Sequence, residues 1–162
     1  MITWKDVIHF SVNGNPTPHK RVEKTQDEWR AILTPEQFQI SRLHGTERPH
    51  TGALCAIFDE GIYQCVCCDT DLFDASIKFD SSSGWPSFTQ PIKENAIKYI
   101  KDTTYGMVRV EVLCNTCDGH LGHIFMGEQI TIKDKRHCVN SLSIRFKSYS
   151  KLQRATFGAG CF

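Results

Sequence analysis

Four of the eight cysteines in this 162-residue chain fall in two Cys-x-x-Cys pairs, Cys65/Cys68 and Cys114/Cys117. That spacing lets two thiolates grip one metal ion from a single tight turn, and two such turns complete a tetrahedral four-sulfur site. One pair alone would equally suit a thioredoxin-like redox motif. Two pairs, each following a β-like segment, favour one structural zinc ion over buried thiols or two local redox pairs. Four thiolates also suit iron. The 45 residues between the pairs exceed a zinc-ribbon spacing, so the site must join two distant hairpins. Cys67, inside the first pair, reads as a bystander.

Cys138 keeps different company. It sits in Lys135-Arg136-His137-Cys138-Val139-Asn140, at the start of a predicted strand. A nucleophilic cysteine acts as its thiolate, which nearby cations stabilise. On an extended segment Arg136 and Asn140 point to the same side as Cys138. Upstream, His120-Leu-Gly-His123-Ile-Phe125 offers two imidazoles able to move protons near neutral pH. In Ser83-Gly84-Trp85-Pro86, Gly84 permits a tight turn and Trp85 can wall a small apolar ligand group. Each feature also has a plain structural reading. A cysteine at a strand start is more often core than catalyst, paired histidines are commonly surface groups, and Trp85 alone would be a core aromatic.

These groups need elements to hold them. Thr34-Pro35-Glu36-Gln37 carries a helix start: an N-cap, a proline at the first helical position and a capping box. Phe38, Ile40 and Leu43 supply its apolar side, and Gly45 is its predicted end. Met107–Leu113 alternates Val108, Val110 and Val112 with Arg109 and Glu111, the period of a half-buried strand. Residues 139–146 alternate likewise through Leu142, Ile144 and Phe146, and Ile97–Tyr99 reads as a third strand. The region 52–146 is therefore expected to be mostly antiparallel β. Residues 1–30, with the turn-rich Asn13-Gly14-Asn15-Pro16-Thr17-Pro18, read mostly as an irregular arm with room for one short helix.

Composition narrows the function classes. Apolar residues make up 40% and charged residues 23%, which excludes disorder and fibrous repeats. Nineteen Lys and Arg against 18 Asp and Glu leave no basic footprint for a nucleic-acid partner. No apolar run approaches the roughly 20 residues of a membrane span. The first residues lack the apolar stretch and cleavage site of a signal peptide, so a cytoplasmic protein is the expectation. Eight cysteines in that setting point to metal or redox chemistry rather than a disulfide framework.

Taken together, the motifs resemble the type-B peptide-methionine sulfoxide reductases. The resemblance is carried by Tyr63-Gln-Cys65-Val-Cys-Cys68, Lys78-Phe-Asp80, Gly84-Trp-Pro-Ser-Phe88, Cys114-Asn-Thr-Cys117-Asp-Gly-His120-Leu-Gly-His123-Ile-Phe125 and Arg136-His-Cys138-Val-Asn140-Ser-Leu-Ser143. With Leu33–Gln37 and Gly45–Gly52 it covers about residues 25–147. It implies a mainly β (α+β) fold of two antiparallel sheets, tent-like and zinc-bearing, with short N-terminal helices. It implies reduction of the R epimer of methionine sulfoxide, free or in proteins, with thioredoxin as reductant and a monomeric enzyme. By position, Cys138 is then the nucleophile, and Cys65, Cys68, Cys114 and Cys117 hold zinc. Trp85 and Phe125 enclose the substrate methyl group, while His120, His123, Asn140 and Arg136 form the polar side of the site.

Two departures stand out. Many members of that family carry a resolving cysteine two residues before the tryptophan, where this chain has Ser83. Cys55 or Cys161 would then resolve the oxidised nucleophile, or thioredoxin would reduce it directly. The end of the chain, Ala155-Thr-Phe-Gly-Ala-Gly160-Cys161-Phe162, resembles the opening of a type-A methionine sulfoxide reductase. The expected division is thus an arm at 1–24, a reductase domain at 25–147, and a linker with a truncated type-A-like stub at 148–162. Two other classes compete: a non-catalytic zinc-stabilised binding module of the same fold, and a hydrolase with a second metal on His120, His123 and Cys138.

Overall fold

The computed structural model describes residues 1–126 and 135–149; Cys161 and the stub lie outside them. Three short helices come first: α1 (Trp4–Asn13), α2 (Gln26–Ile32) and α3 (Pro35–Ser41). Each opens with a complete capping box, from Thr3 to Asp6, Thr25 to Glu28 and Thr34 to Gln37. The arm is therefore more ordered than its turn-rich sequence suggested. Two helices lie within residues 1–32, and Ile2, Val7 and Trp29 are buried in the common core. Helix α3 stops at Ser41 rather than at Gly45, although the Gly45 N–H still reaches back to the Gln39 carbonyl.

Among the described residues nine strands follow: β1 (Gly61–Cys65), β2 (Asp71–Asp74), β3 (Lys78–Phe79), β4 (Ser87–Phe88), β5 (Ile97–Asp102), β6 (Arg109–Cys114), β7 (His120–Met126), β8 (Lys135–Val139) and β9 (Ile144–Ser148). They form two antiparallel sheets, ordered β2-β1-β9 and β3-β4-β8-β7-β6-β5. The expected single strand over 139–146 is corrected. A 3-10 turn at Ser141–Ser143 divides it, so that β8 ends in one sheet and β9 begins in the other. Cys138 accordingly lies inside β8, not at a strand start.

Aromatic side chains join the sheets. Phe73 and Phe88 stack with ring centres 4.3 Å apart, and Tyr63 meets Phe88 edge-on at 5.1 Å. His137 is fully buried among them. Its Nδ1 lies 3.0 Å from the Phe88 carbonyl and donates to it, so Nε2 accepts from the Tyr99 hydroxyl at 2.8 Å. Burial drives its pKa down to about 3, so this imidazole stays neutral. Because neighbouring strand residues face opposite ways, anchoring His137 in the core turns Cys138 outward. The edge strand β5 is covered by the arm: Asn15 exchanges two hydrogen bonds with the Tyr99 backbone, at 2.8 and 3.0 Å. Among the described residues no helix is long and apolar enough to cross a membrane.

Candidate active site

Two clusters of chemistry-bearing residues are built on this frame. The first is the cysteine tetrad. Cys65-x-x-Cys68 leaves β1 and Cys114-x-x-Cys117 leaves β6 through the same turn. In each, the N–H four residues on, from Asp69 or Asp118, bonds the first cysteine's carbonyl at 2.9 or 2.8 Å. Both aspartates take left-handed backbone, φ 62° and 64°, which Asp adopts more readily than most residues. Each also carries a basic partner: Arg145 on Asp69 at 2.6 Å, and Arg21 and Lys98 on Asp118.

The two turns bring Cys65 Sγ to 3.7 Å from Cys117 Sγ, and Cys68 Sγ to 3.6 Å from Cys114 Sγ. All four sulfurs lie within 4.8 Å of one another. A tetrahedron with metal–sulfur bonds near 2.3 Å has edges of about 3.8 Å, so the donor set fits a zinc-sized ion. Cys67 is not in this set; its thiol lies 3.3 Å from Ser41 Oγ. Arg42, which follows α3, donates to Cys117 Sγ at 3.5 Å and to its carbonyl at 3.0 Å. It thereby sets positive charge beside the four sulfurs.

The second cluster surrounds Cys138. A cleft of about 140 Å³ is lined by Trp85, His120, His123, Phe125, Arg136, Cys138 and Asn140, together with Thr46, Arg109 and Gly122. All seven cleft residues singled out by sequence are therefore gathered in one place. The register explains this. Cys138 pairs with His123 across β7–β8, Phe125 pairs with Arg136, and Ser87 of β4 lies on the other flank of Cys138. The guanidinium of Arg136 sits 4.7 Å over the Phe125 ring. At position 122 a Cβ would come within 1.9 Å of the Cys138 carbonyl oxygen, so only glycine lets the strands close there.

The loop before β1 finishes the cleft. Asn140 Oδ1 accepts from the Glu47 N–H at 3.0 Å, and the Glu47 carbonyl accepts from Trp85 Nε1 at 3.1 Å. One backbone segment thus orients both the amide and the indole. Gly84, at φ 91°, turns the chain into Trp85 where a Cβ would strike Pro49 and His50.

The two histidines are each held by a carboxylate that sequence reasoning had not assigned. His123 Nε2 lies 2.8 Å from Asp102 Oδ2, and His120 Nδ1 lies 2.6 Å from Glu111 Oε2. Glu111 also accepts from His44 Nδ1 at 2.7 Å. Burial pushes the Asp102 carboxyl up, but hydrogen bonds from Thr104 and His123 outweigh it and hold it well below the usual range. Glu111 is lowered likewise: His120 and His44 overcome its burial. For His123, burial dominates and lowers the pKa, with Arg109 adding to it and Asp102 opposing. At neutral pH this imidazole is uncharged. An ionised carboxylate only accepts, so Nε2 keeps the proton and Nδ1 is left as the acceptor. The signal for Glu111 was present in the strand pattern, where it and Arg109 fill the face of β6 opposite the core valines.

Among the described residues, His120, His123 and Cys138 do not form one metal ligand set, since His120 converges with Glu111 and His44 instead. Cys55 is half-buried and does not line the cleft; burial raises its thiol pKa. Ser83 belongs to a hydroxyl chain through Ser81, at 2.7 Å, to Ser87, at a further 2.8 Å, beside Cys138.

The family model of the SelR domain matches residues 33–148. The chain is 51% identical over 125 residues to a peptide methionine sulfoxide reductase MsrB of Pseudomonas putida strain GB-1, covering 77% of this chain and 95% of that protein. It is 49% identical over 129 residues to the protein of the same name from Pseudomonas entomophila strain L48, covering 79% and 97%. For that of Pseudomonas syringae pv. syringae strain B728a the identity is 46% over 125 residues, covering 76% and 94%.

Proposed function

Since this chain belongs to the SelR domain family of type-B peptide methionine sulfoxide reductases, we propose that it reduces the R epimer through a sulfenic acid on Cys138, as a cytoplasmic monomer recycled by thioredoxin. The observation that carries this reading is the register of Cys138 against His123 inside a cleft that also holds Trp85, Phe125, Arg136 and Asn140. The tetrad of Cys65, Cys68, Cys114 and Cys117 holds one zinc ion in this reading, which supplies rigidity and takes no part in the reaction.

Trp85 and Phe125 receive the sulfoxide methyl group, and the polar side of the cleft faces the oxygen. His123 Nδ1 takes the thiol proton. The thiolate is stabilised by Arg136 and attacks the sulfoxide sulfur, forming a sulfur–sulfur bond. With its pKa lowered, the imidazolium is a better acid than an unperturbed one, and it returns the proton to the sulfoxide oxygen. His120, fixed by Glu111, and Asn140 hold that oxygen. The hydroxyl passes from the substrate sulfur to the Cys138 sulfur as the sulfur–oxygen bond to the substrate and the transient sulfur–sulfur bond both break, so methionine leaves with the electron pair and Cys138 is left as sulfenic acid. The cysteine sulfur has lost the two electrons that the sulfoxide sulfur gained. A second thiol then condenses with the sulfenic acid, releasing water, and the dithiol of thioredoxin reduces the resulting disulfide.

Dithiothreitol-driven turnover of separated R and S epimers of a blocked methionine sulfoxide tests the reading. The R epimer is expected to be consumed and the S epimer left; equal turnover of both would overturn it. The carboxylate on His123 gives a second expected result. Asp102→Asn removes the interaction that raises the His123 pKa, so the acid limb of kcat/KM should move to lower pH. The plateau should fall by up to about 10²-fold, the lower end of what a positioned acid–base group contributes. An unchanged pH profile would remove Asp102 from that role.

A further inference from the structure

Helix α1 lies outside the SelR match, which begins at residue 33, yet it borders the reaction cleft's surroundings. Its core-facing side carries buried Val7 and Phe10, whose ring stacks 6.3 Å from that of Tyr99. The adjacent side carries Trp4, Ile8, Ser11 and Val12, spaced i, i+4, i+7 and i+8 along one helix face. That face looks into a groove of about 410 Å³ whose other wall is formed by the start of β6 and the end of β7. Ile8 and Val12 are 41% and 68% exposed on one wall, and Val108 and Met126 are 74% and 47% exposed on the other. Large side chains gathered this way form a contiguous apolar patch, the usual mark of an interaction surface.

The groove runs into the Cys138 cleft, since Arg109 and Phe125 line both. On the reading that this cleft reduces methionine sulfoxide, we propose that the groove binds the apolar residues flanking the oxidised methionine in an extended polypeptide. Continuity selects this occupant. The cleft, at about 140 Å³, takes the sulfoxide side chain and little more. The chain bearing that side chain must leave across the surface, and the shared Phe125 wall leads it over the groove. Methionine is among the residues most often buried, so residues that share its core-facing side, two positions away on a strand or three to four on a helix, are commonly apolar. A substrate in this register is a stretch of unfolded protein core. The free amino acid would reach the cleft and leave the groove empty.

The test compares three blocked substrates of one R epimer: N-acetyl-methionine sulfoxide, a pentapeptide with leucine and valine flanks, and the same peptide with serine and glycine flanks. Wild type should prefer the apolar peptide over the polar one by about tenfold or more in kcat/KM, carried by KM, the scale of one or two well-placed apolar contacts. The double substitution Val12→Gln with Val108→Gln removes apolar surface without adding charge, at two exposed positions. It should abolish that preference and leave turnover of N-acetyl-methionine sulfoxide within twofold. Equal rates for the two peptides in wild type would overturn the proposal without touching the reductase reading. So would a preference that survives the double substitution. A wild-type dimer that dissociates in the double variant, with no difference between the peptides, would assign the groove to a second copy. Failure of all three substrates would instead sink the reading on which the proposal rests.

Discussion

Replacing Cys138 by serine is expected to leave a folded, metal-loaded protein with no measurable sulfoxide reduction. Serine fits the same half-buried position on β8 and preserves the pairing with His123 and Ser87, so the frame should persist. What disappears is a group able to give two electrons to sulfur, and no residue lining the cleft can replace it. The loss should exceed 10³-fold, since a general acid or base without its nucleophile accelerates nothing; residual turnover above a few per cent would place the nucleophile elsewhere. The same measurement separates an enzyme from a binding module, because a module would show no turnover in wild type either. A thiol count after one equivalent of substrate extends it. Loss of two thiols in wild type means an internal disulfide, and loss of one means a persisting sulfenic acid. Two still lost in both Cys55→Ser and Cys161→Ser would exclude each as the required partner.

Removing the tetrad is expected to have the largest effect on stability. Four thiolates in a fitting tetrahedron bind zinc with an apparent free energy on the order of 10 kcal/mol or more. A domain's whole stability is only about 5–15 kcal/mol. Cys114→Ser, at a fully buried ligand position, should release one zinc per chain and cost most of the folded population at 37 °C. Metal analysis and a thermal melt on the same sample check it. A serine variant at all four positions that melts with wild type would show that the site is not what holds β1 to β6. Sequence distance gives the clamp its leverage: it ties residue 65 to residue 117, turns of two different sheets.

Much of this was legible from residue types and spacing. The two Cys-x-x-Cys pairs announced the tetrad, because the turn that places two sulfurs on one ion is local. The buried face of β6 followed from period two at Val110 and Val112, while Val108, grouped with them, precedes the strand and is exposed. Helices α1 and α2 were also written locally, in Thr3…Asp6 and Thr25…Glu28, but the proline-rich stretch after Asn13 drew the reading toward an irregular arm. The division between β8 and β9 was hidden for another reason. Leu142, Ile144 and Phe146 keep the alternation of a single strand, and only the two sheets' separate demand for pairing partners bends the chain at Ser141–Ser143. Asp102 and Glu111 were not among the residues that types and spacing singled out. Their roles arise from cross-strand neighbours, His123 and His120, that the register of β5, β6 and β7 brings over. No spacing within one segment encodes that contact.

The sheet order also sets a schedule for a chain made from its N-terminus. All four metal thiols exist once residue 117 has been synthesised, so the clamp can close early. β1 is the middle strand of its sheet, between β2 and β9. Until residue 148 is added, one of its edges has no partner. At about 5–20 residues per second that interval lasts a few seconds, during which a hydrogen-bonding edge stands open to any neighbouring nascent chain. The nucleophile arrives within the same interval, on the strand just before the one that closes the edge. By residue 140 every strand of the six-stranded sheet and every residue lining the cleft has been made, so the cleft belongs to a sheet whose strands are all present while the smaller sheet still waits for β9.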